Sequence, residues 1–391
     1  MASIITSIQR SATPYRVSHL CFYRLFVCGV ALCAPHALQA IAAATLLVVS
    51  QYHLALKIVF GNMFSPEVPR PWVLLAGWLF CAFVLLVVLT LLADVTRCVV
   101  RAIGGPEHAD MLDRPAVHAA TAVLAAALAA VGVSNASVVP QARQVTLTVR
   151  DLPPVLQGFR IVQLSDLHVH PFFKKTWLTD VVARTNAASP DLIVVTGDLI
   201  DGTVEARWRD VAPLNGLCAR YGVIASLGNH EYYFGAGRWR QAMEQLGMRV
   251  LVNAHVSIDV GGATLNIAAV TDPSARPYGK PPPDLAQAIR GIPAEQPLFL
   301  LSHRPTDMVQ AAKGGVDVEL SGHTHGGMVR GPDLVPKVAN GGVVSGLYDY
   351  GSLQLYVSNG TGIWNGFPIR LGVPPEITVF TLSASAPAPH Q

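Results

Sequence analysis

Three stretches of the chain carry no Asp, Glu, Lys or Arg: residues 25–56, 71–93 and 115–142, which are 32, 23 and 28 residues long. A helix rising about 1.5 Å per residue needs about 20 apolar residues to cross the hydrocarbon core of a bilayer. Each stretch therefore reaches the length of a span. No other feature limits the fold as tightly, because a segment in lipid has to satisfy its own backbone N–H and C=O groups, as a helix does. The charge balance follows the same division. Residues 1–150 hold 10 Lys/Arg and 5 Asp/Glu, whereas residues 151–391 hold 18 and 20. The first part is membrane-like and the second has the composition of a soluble domain. This asymmetry excludes a disordered chain, a collagen-like one and a disulfide-stapled mini-protein. It also argues against a single soluble globule.

Within the apolar half, residues 74–93 form the cleanest span, with Trp72 and Trp78 near the entering end as interface anchors. Residues 116–133 are Ala-rich and just long enough. Residues 25–56 exceed one span and contain Pro35-His36, so a tilted helix, a kinked one, or a short re-entrant piece before a span near 40–56 all fit. A long charged segment precedes this stretch, and no small-x-small site follows it, so it reads as an uncleaved first span. Cys28 and Cys33 follow Val27 and Leu32, which do not suit a lipoprotein cleavage site. About three transmembrane helices are expected over residues 1–133, followed by a small, polar, Pro-containing linker at 134–144. Three spans put Arg10, Arg16, Arg24, Arg97, Arg101 and Arg114 on one side and Lys57 and Arg70 on the other. The positive-inside bias then places the first group in the cytoplasm and the polar domain on the outer, periplasmic face of an inner membrane. A fourth span would reverse this.

From about residue 145 the grammar changes to short apolar runs, each closed by a polar cluster, with amphipathic stretches between them. Runs at 160–165, 191–196, 223–227, 298–302 and 316–320 have the length and continuity of buried strands. Helical patterns at 176–188 and 238–246 lie between strands. The expectation is one α/β domain over residues 145–383, large enough for a real core, and a disordered tail at 384–391. Cys218 stands alone in this half, so no disulfide framework and no CxxC metal spacing can be drawn. A formal net charge of +3 is too small and scattered to imply a nucleic acid as a stable partner.

The decisive pattern is where the ligand-type residues fall. Asp166 and His168, Asp198, Asn229, His303, and His323 with His325 each follow one of the five apolar runs. Carboxyl ends of strands are where α/β sheets build their sites. A lone DxH, a GD turn or an HxH pair means little by itself. All five in order, each after a strand-like run, point to metal binding. Mixed carboxylate and imidazole ligands suit Mn, Fe, Zn or Co, and seven ligands are too many for one tetrahedral ion. They fit two divalent ions bridged by a carboxylate, as in metal-assisted phosphoryl chemistry.

The motifs DLH, GDLID, GNHE, SH and GHTH, at 166–168, 197–201, 228–231, 302–303 and 322–325, resemble those of the calcineurin-like metallophosphoesterase superfamily. Residues 186–202, 227–235, 320–327 and 356–382 are similar to its membrane-associated YkuE/YaeI-like branch, so the resemblance covers about 145–382. It implies a four-layer α/β/β/α sandwich, here preceded by an all-α transmembrane region. It implies one metal on Asp166, His168, Asp198 and His325 and a second on Asp198, Asn229, His303 and His323, with Asp198 bridging. A hydroxide between the metals would attack phosphorus in line. His230 would donate to the phosphate or protonate the leaving oxygen, Glu231 would orient it, and Asn229 would also touch substrate. The chain departs from the family pattern at Arg304-Pro305, at Met328 and at 270–272, none of which removes a ligand. Arg304 would be placed to contact a second phosphate. His170 reads as a bystander or pocket residue and His255 as structural, while Trp364 and Phe367 read first as core residues and second as residues that pack on a substrate. The implied function is a membrane-anchored, dimetal-dependent phosphoesterase, a phosphomonoesterase or phosphodiesterase acting on lipid-linked or envelope substrates. The alternative is a non-catalytic phosphoesterase-fold receptor or regulatory domain, whose signature would be lost ligands.

Overall fold

The computed structural model describes residues 44–46, 48–305 and 308–384. Most of the expected first span, the arginines at 10, 16 and 24, and residues 385–391 of the tail lie outside the described residues. The chain separates into two compact units. One comprises Leu74–Val131 together with the described residues up to Val59; the other comprises Phe60–Val73 and the chain from Gly132 onward.

In the first unit, the helices Arg70–Gly104 and Pro115–Ala136 contribute most of their length, and both are long and apolar enough to cross a membrane. At about 1.5 Å per residue, a helix of 35 residues exceeds the ~30 Å hydrocarbon core and can carry charges on the end beyond it. Arg97, near that end, pairs with Asp113 at 2.5 Å. Ala125 and Ala129 are fully buried, the small side chains that allow helices to approach closely. Trp78 donates from Nε1 to the Ala126 carbonyl at 3.0 Å, so its only polar atom is satisfied. Leu91, Leu92, Val95, Val99, Val123 and Val131 point outward uncovered, as lipid-facing residues do.

The second unit contains two six-stranded sheets. The first runs in the order β1 (Gln141–Val149), β12 (Glu376–Ala384), β2 (Arg160–Leu164), β3 (Leu192–Thr196), β4 (Val223–Ser226), β5 (Met248–Val250). The second runs β10 (Gly346–Tyr350), β11 (Leu353–Val357), β9 (Val318–Ser321), β8 (Leu298–Leu301), β7 (Ala263–Ala269), β6 (Ala254–Val260). β2 to β5 are mutually parallel, as are β7, β8, β9 and β11. The expected α/β architecture with two central sheets is therefore present, and all five apolar runs form strands.

Alternation along the strands builds the layers. Phe299 and Leu301 of β8 join Leu192, Val194, Ile267, Leu320 and Phe380 in the core between the sheets. Their neighbours Leu298 and Leu300 face the other way, onto Ala288, Ala311, Leu285 and Met308 of the helical layer. β3 behaves alike: Leu192 and Val194 face the inter-sheet core, and Ile193 and Val195 are buried on the opposite face. Helices Lys175–Ala187 and Ala236–Gln245 lie along that sheet, against β1 and β5. Within the stretch read as a linker, the helix continues to Ala136 and β1 starts at Gln141, so only 137–140 connect them.

Candidate metal centre

Strands β2, β3 and β4 of one sheet and β8 and β9 of the other each end in a short loop that carries ligand-type residues. Asp166 and His168 follow β2, Asp198 follows β3, Asn229 follows β4, His303 follows β8, and His323 and His325 follow β9. Five of these seven residues have left-handed backbone: Asp166 (φ 52°), His168 (44°), Asp198 (52°), His323 (68°) and His325 (49°). Such a conformation costs a non-glycine residue of order 1–3 kcal/mol and persists only where surroundings impose it. Its concentration in these loops marks them as built for a site rather than for stability.

Glycines let the loops close on one another. A Cβ on Gly228 would lie 2.3 Å from Asp198 Oδ1, and one on Gly322 would lie 1.9 Å from Ser165 Oγ and 2.3 Å from Asp166 Oδ2. This close approach gives the carboxylates backbone donors. His323 N donates to both oxygens of Asp166 at 3.1 Å, and His230 N donates to Asp198 Oδ1 at 2.8 Å.

Three sets of ligand atoms lie within 4.8 Å of one another: Asp166, His168 and His325; His168, Asp198 and His230; Asp198, His303 and His323. Asp198 belongs to two of them. Its Oδ2 is 3.7 Å from His168 Nε2 and 3.2 Å from His303 Nε2. On one side, His168 Nε2 and His325 Nε2 face each other at 3.2 Å, and His325 Nε2 lies 3.6 Å from Asp166 Oδ1. On the other, His303 Nε2 also lies 3.1 Å from Asn229 Oδ1.

The protonation of these rings tests the fit to a cation. His303 Nδ1 lies 2.8 Å from the Thr196 carbonyl, which only accepts, so Nδ1 carries the proton. In the neutral ring Nε2 then presents a lone pair to two further acceptors, Asn229 Oδ1 and Asp198 Oδ2. A second proton or a metal ion resolves that conflict. Electrostatics agree: burial pulls the pKa of His303 down, but Asp198 outweighs it and raises it to about 10. Burial and the neighbouring His168 keep His325 well below the usual range, and burial with His303 does the same to His323. Asp198, although burial opposes its charge, is pulled well below the carboxylate range by His303 and His230. Asp166 shifts the other way, pushed above the usual carboxylate range chiefly by burial. The donor set thus gathers carboxylates and imidazoles around the ionised Asp198, and it fits divalent metals of the Mn, Fe, Zn or Co type.

One residue of the site carried no assignment from sequence. Asp201 is fully buried, faces His168 Nδ1 at 3.3 Å, and contacts His230 Nδ1 directly. A single carboxylate thereby fixes both rings with Nε2 turned toward Asp198. The signal was present, a second Asp three residues after Asp198, but an Asp beside Gly202 also reads as a turn. Burial lowers the pKa of His230, and Asp198 and Asp201 outweigh it, raising it to about 9.

The remaining candidates are placed as follows. Glu231 is buried and accepts from Gly228 N at 2.7 Å, Asp198 N at 3.0 Å and Leu199 N at 2.8 Å, tying the loops after β3 and β4 together. The Arg304 guanidinium is engaged by Asp272 Oδ2 at 2.8 Å and Ser274 Oγ at 3.2 Å and keeps about a third of its surface exposed. His170 is buried and contacts the His168 carbonyl at 2.6 Å, outside the three ligand sets. His255 bonds the Ala288 carbonyl at 2.7 Å. Arg370, also unassigned from sequence, is fully buried and donates to the carbonyls of Asn359 at 2.6 Å and Gly362 at 2.7 Å, fastening the loop after β11 beneath the site.

Comparison with known proteins agrees with this geometry. Residues 159–327 match the family model described as calcineurin-like phosphoesterase. The chain is 32% identical over 262 residues to a metallophosphoesterase of Campylobacter jejuni, covering 66% of this chain and 68% of that protein. It is 33% identical over 298 residues to a transmembrane protein with metallophosphoesterase domain from Bos taurus, covering 73% and 66%. It is 32% identical over 242 residues to the metallophosphoesterase YkuE of Bacillus subtilis, covering 60% and 82%. The matches to the first two relatives span about two thirds of their length.

Proposed function

This chain belongs to the calcineurin-like metallophosphoesterase family, and from that premise we propose a membrane-anchored phosphoester hydrolase that works through two divalent metal ions. The observation that carries the dimetal reading is the position of Asp198, whose Oδ2 lies within 4 Å of ring nitrogens from both ligand sets. In this reading Asp166, His168, Asp198 and His325 would hold one ion, and Asp198, Asn229, His303 and His323 would hold the other. When bound, such a pair supplies an activated water near neutral pH and positive charge for the phosphoryl oxygens.

The chain's own residues then do the rest. His230, with Nδ1 held on Asp201, presents Nε2 toward the centre, 3.8 Å from Asp198 Oδ2, where it would give a proton to the leaving oxygen. Asn229 and His230 are the residues proposed to touch the phosphate. Arg304 is proposed to meet a second anionic group with the exposed part of its guanidinium. Glu231 acts by holding the loops of Asp198 and Gly228 in register.

We further propose that residues 1–133 anchor the domain over 145–383 in the inner membrane, with that domain on the periplasmic face. Such an anchor favours phosphoesters presented at a bilayer, lipid-linked or belonging to the envelope. The test uses the full-length protein in detergent, stripped of metal and reloaded with Mn²⁺, on a generic aryl phosphodiester and an aryl phosphomonoester. Cleavage that returns with metal, and falls by about 10³-fold or more in Asp198→Ala, is expected. Metal-independent cleavage, or an unchanged rate in the variant, would overturn the reading.

A further inference from the structure

Residues Phe60–Val73 comprise the last residue of the helix Tyr52–Phe60, the loop after it and the first turn of Arg70–Gly104, and they group with the unit that holds the metal centre. The path of this segment is fixed by specific bonds. Asn62 Oδ1 accepts from Phe64 N at 3.0 Å and Ser65 N at 2.8 Å, forming a tight turn. Ser65 Oγ donates to Glu67 Oε1 at 2.7 Å. Arg207, buried beside the loop after β3, pairs with Glu67 and donates to Ser65 Oγ at 3.3 Å. Arg70 donates from Nε to the Phe172 carbonyl at 3.0 Å. A buried arginine that divides its charge between this turn and Asp210, 3.0 Å away, ties the segment to the domain rather than leaving it a passing connection.

The turn places one side chain at the site. The Phe64 ring packs edge-on to His230 at 4.7 Å between centroids, stacks on Tyr233 at 5.4 Å and 18°, and lies 6.0 Å from Trp364. Tyr233 in turn neighbours the half-exposed Tyr278. These rings form an aromatic wall that begins at His230 and runs outward to solvent. Residues 62–67 carry no Lys or Arg, and their one charge is the carboxylate of Glu67. The wall therefore favours an uncharged, apolar group over an anionic one.

We propose that residues 62–67 form a strap whose Phe64 lines the leaving-group side of the catalytic site and selects phosphoesters with an apolar leaving group. The proposal rests on the phosphoesterase reading above. There His230 gives its proton to the leaving oxygen, so whatever that oxygen carries extends from His230 along Phe64, Tyr233 and Trp364. Aryl and alkyl leaving groups share the required chemistry, and the test separates them.

The experiment compares kcat/KM of the Mn²⁺-loaded, full-length protein in detergent for phenyl phosphate, hexyl phosphate and glycerol phosphate. Phe64→Ala is expected to lower the ratio of phenyl or hexyl to glycerol phosphate by about tenfold, mostly through KM. Phe64→Leu, which keeps an apolar side chain, is expected to retain most of the hexyl preference and to lose more of the phenyl preference. A larger Phe64→Ala effect on one apolar ester identifies the class of leaving group the wall fits. Unchanged ratios, or an equal loss on all three esters in both variants, would overturn the proposal. Cleavage of none of the three moves the same comparison to their methyl phosphodiesters, and cleavage of none of those either would overturn the phosphoesterase reading itself, and the proposal with it.

Discussion

A left-handed aspartate or histidine is uncommon, and five in one set of loops need a common cause. The positions share a demand: each side chain has to turn back over the end of its own strand toward one point. The seven proposed ligands were legible in sequence because they cluster just after apolar runs that suggest buried strands and match the motifs of a known family. Asp201 and Phe64 were not. Asp201 sits where a turn residue would, and its role follows only from two histidines that the fold brings to it from different loops. Phe64 belongs to the connection between two apolar segments, where nothing in the sequence ties a phenylalanine to a site built far along the chain. At this scale the prediction concerns Asp201. Asp201→Asn preserves the size of the side chain but removes the charge that faces His168 and His230. We expect kcat to fall by about 10–100-fold and metal affinity to weaken, read by steady-state kinetics and metal titration. Unchanged values of both would show that Asp201 only fills space.

The strands were the most legible elements, because four or five consecutive apolar residues are buried on both faces in a sheet flanked by a second sheet and by helices. Their pairing was not legible. β12, the last strand, inserts between β1 and β2, running parallel to one and antiparallel to the other, and no local pattern encodes such a long-range choice. The loops between strand and helix are where sequence and packing meet most tightly. Gly228 illustrates this, since Asp198 occupies the space a side chain would need. Gly228→Ala forces the loop after β4 away from the loop after β3. The expected result is a loss of about 1–3 kcal/mol in stability together with weakened metal binding. Thermal unfolding with and without Mn²⁺ reads both. An alanine variant equal to the parent in both measurements would mean that the two loops can separate freely.

At the scale of the molecule, the chain separates into two compact units whose make-up is not given by composition alone. The stretch between two apolar segments folds with the catalytic unit, and composition could not show this because those residues are neither strongly apolar nor strongly charged. Two helices with exposed aliphatic surfaces and apolar lengths beyond a bilayer core require lipid or an equivalent cover. The full-length protein is therefore expected to remain in the membrane pellet through alkaline carbonate and high salt and to be released by detergent. Release by carbonate alone would contradict an integral anchor.

The central claim is that two metal ions share Asp198. Electron paramagnetic resonance of the full-length protein reconstituted with Mn²⁺, together with the metal content per chain, tests it directly. Two Mn²⁺ per chain with an exchange-coupled spectrum, and loss of the coupling in Asp198→Ala, are predicted. One isolated Mn²⁺ per chain, or a coupled pair that survives the substitution, would contradict it.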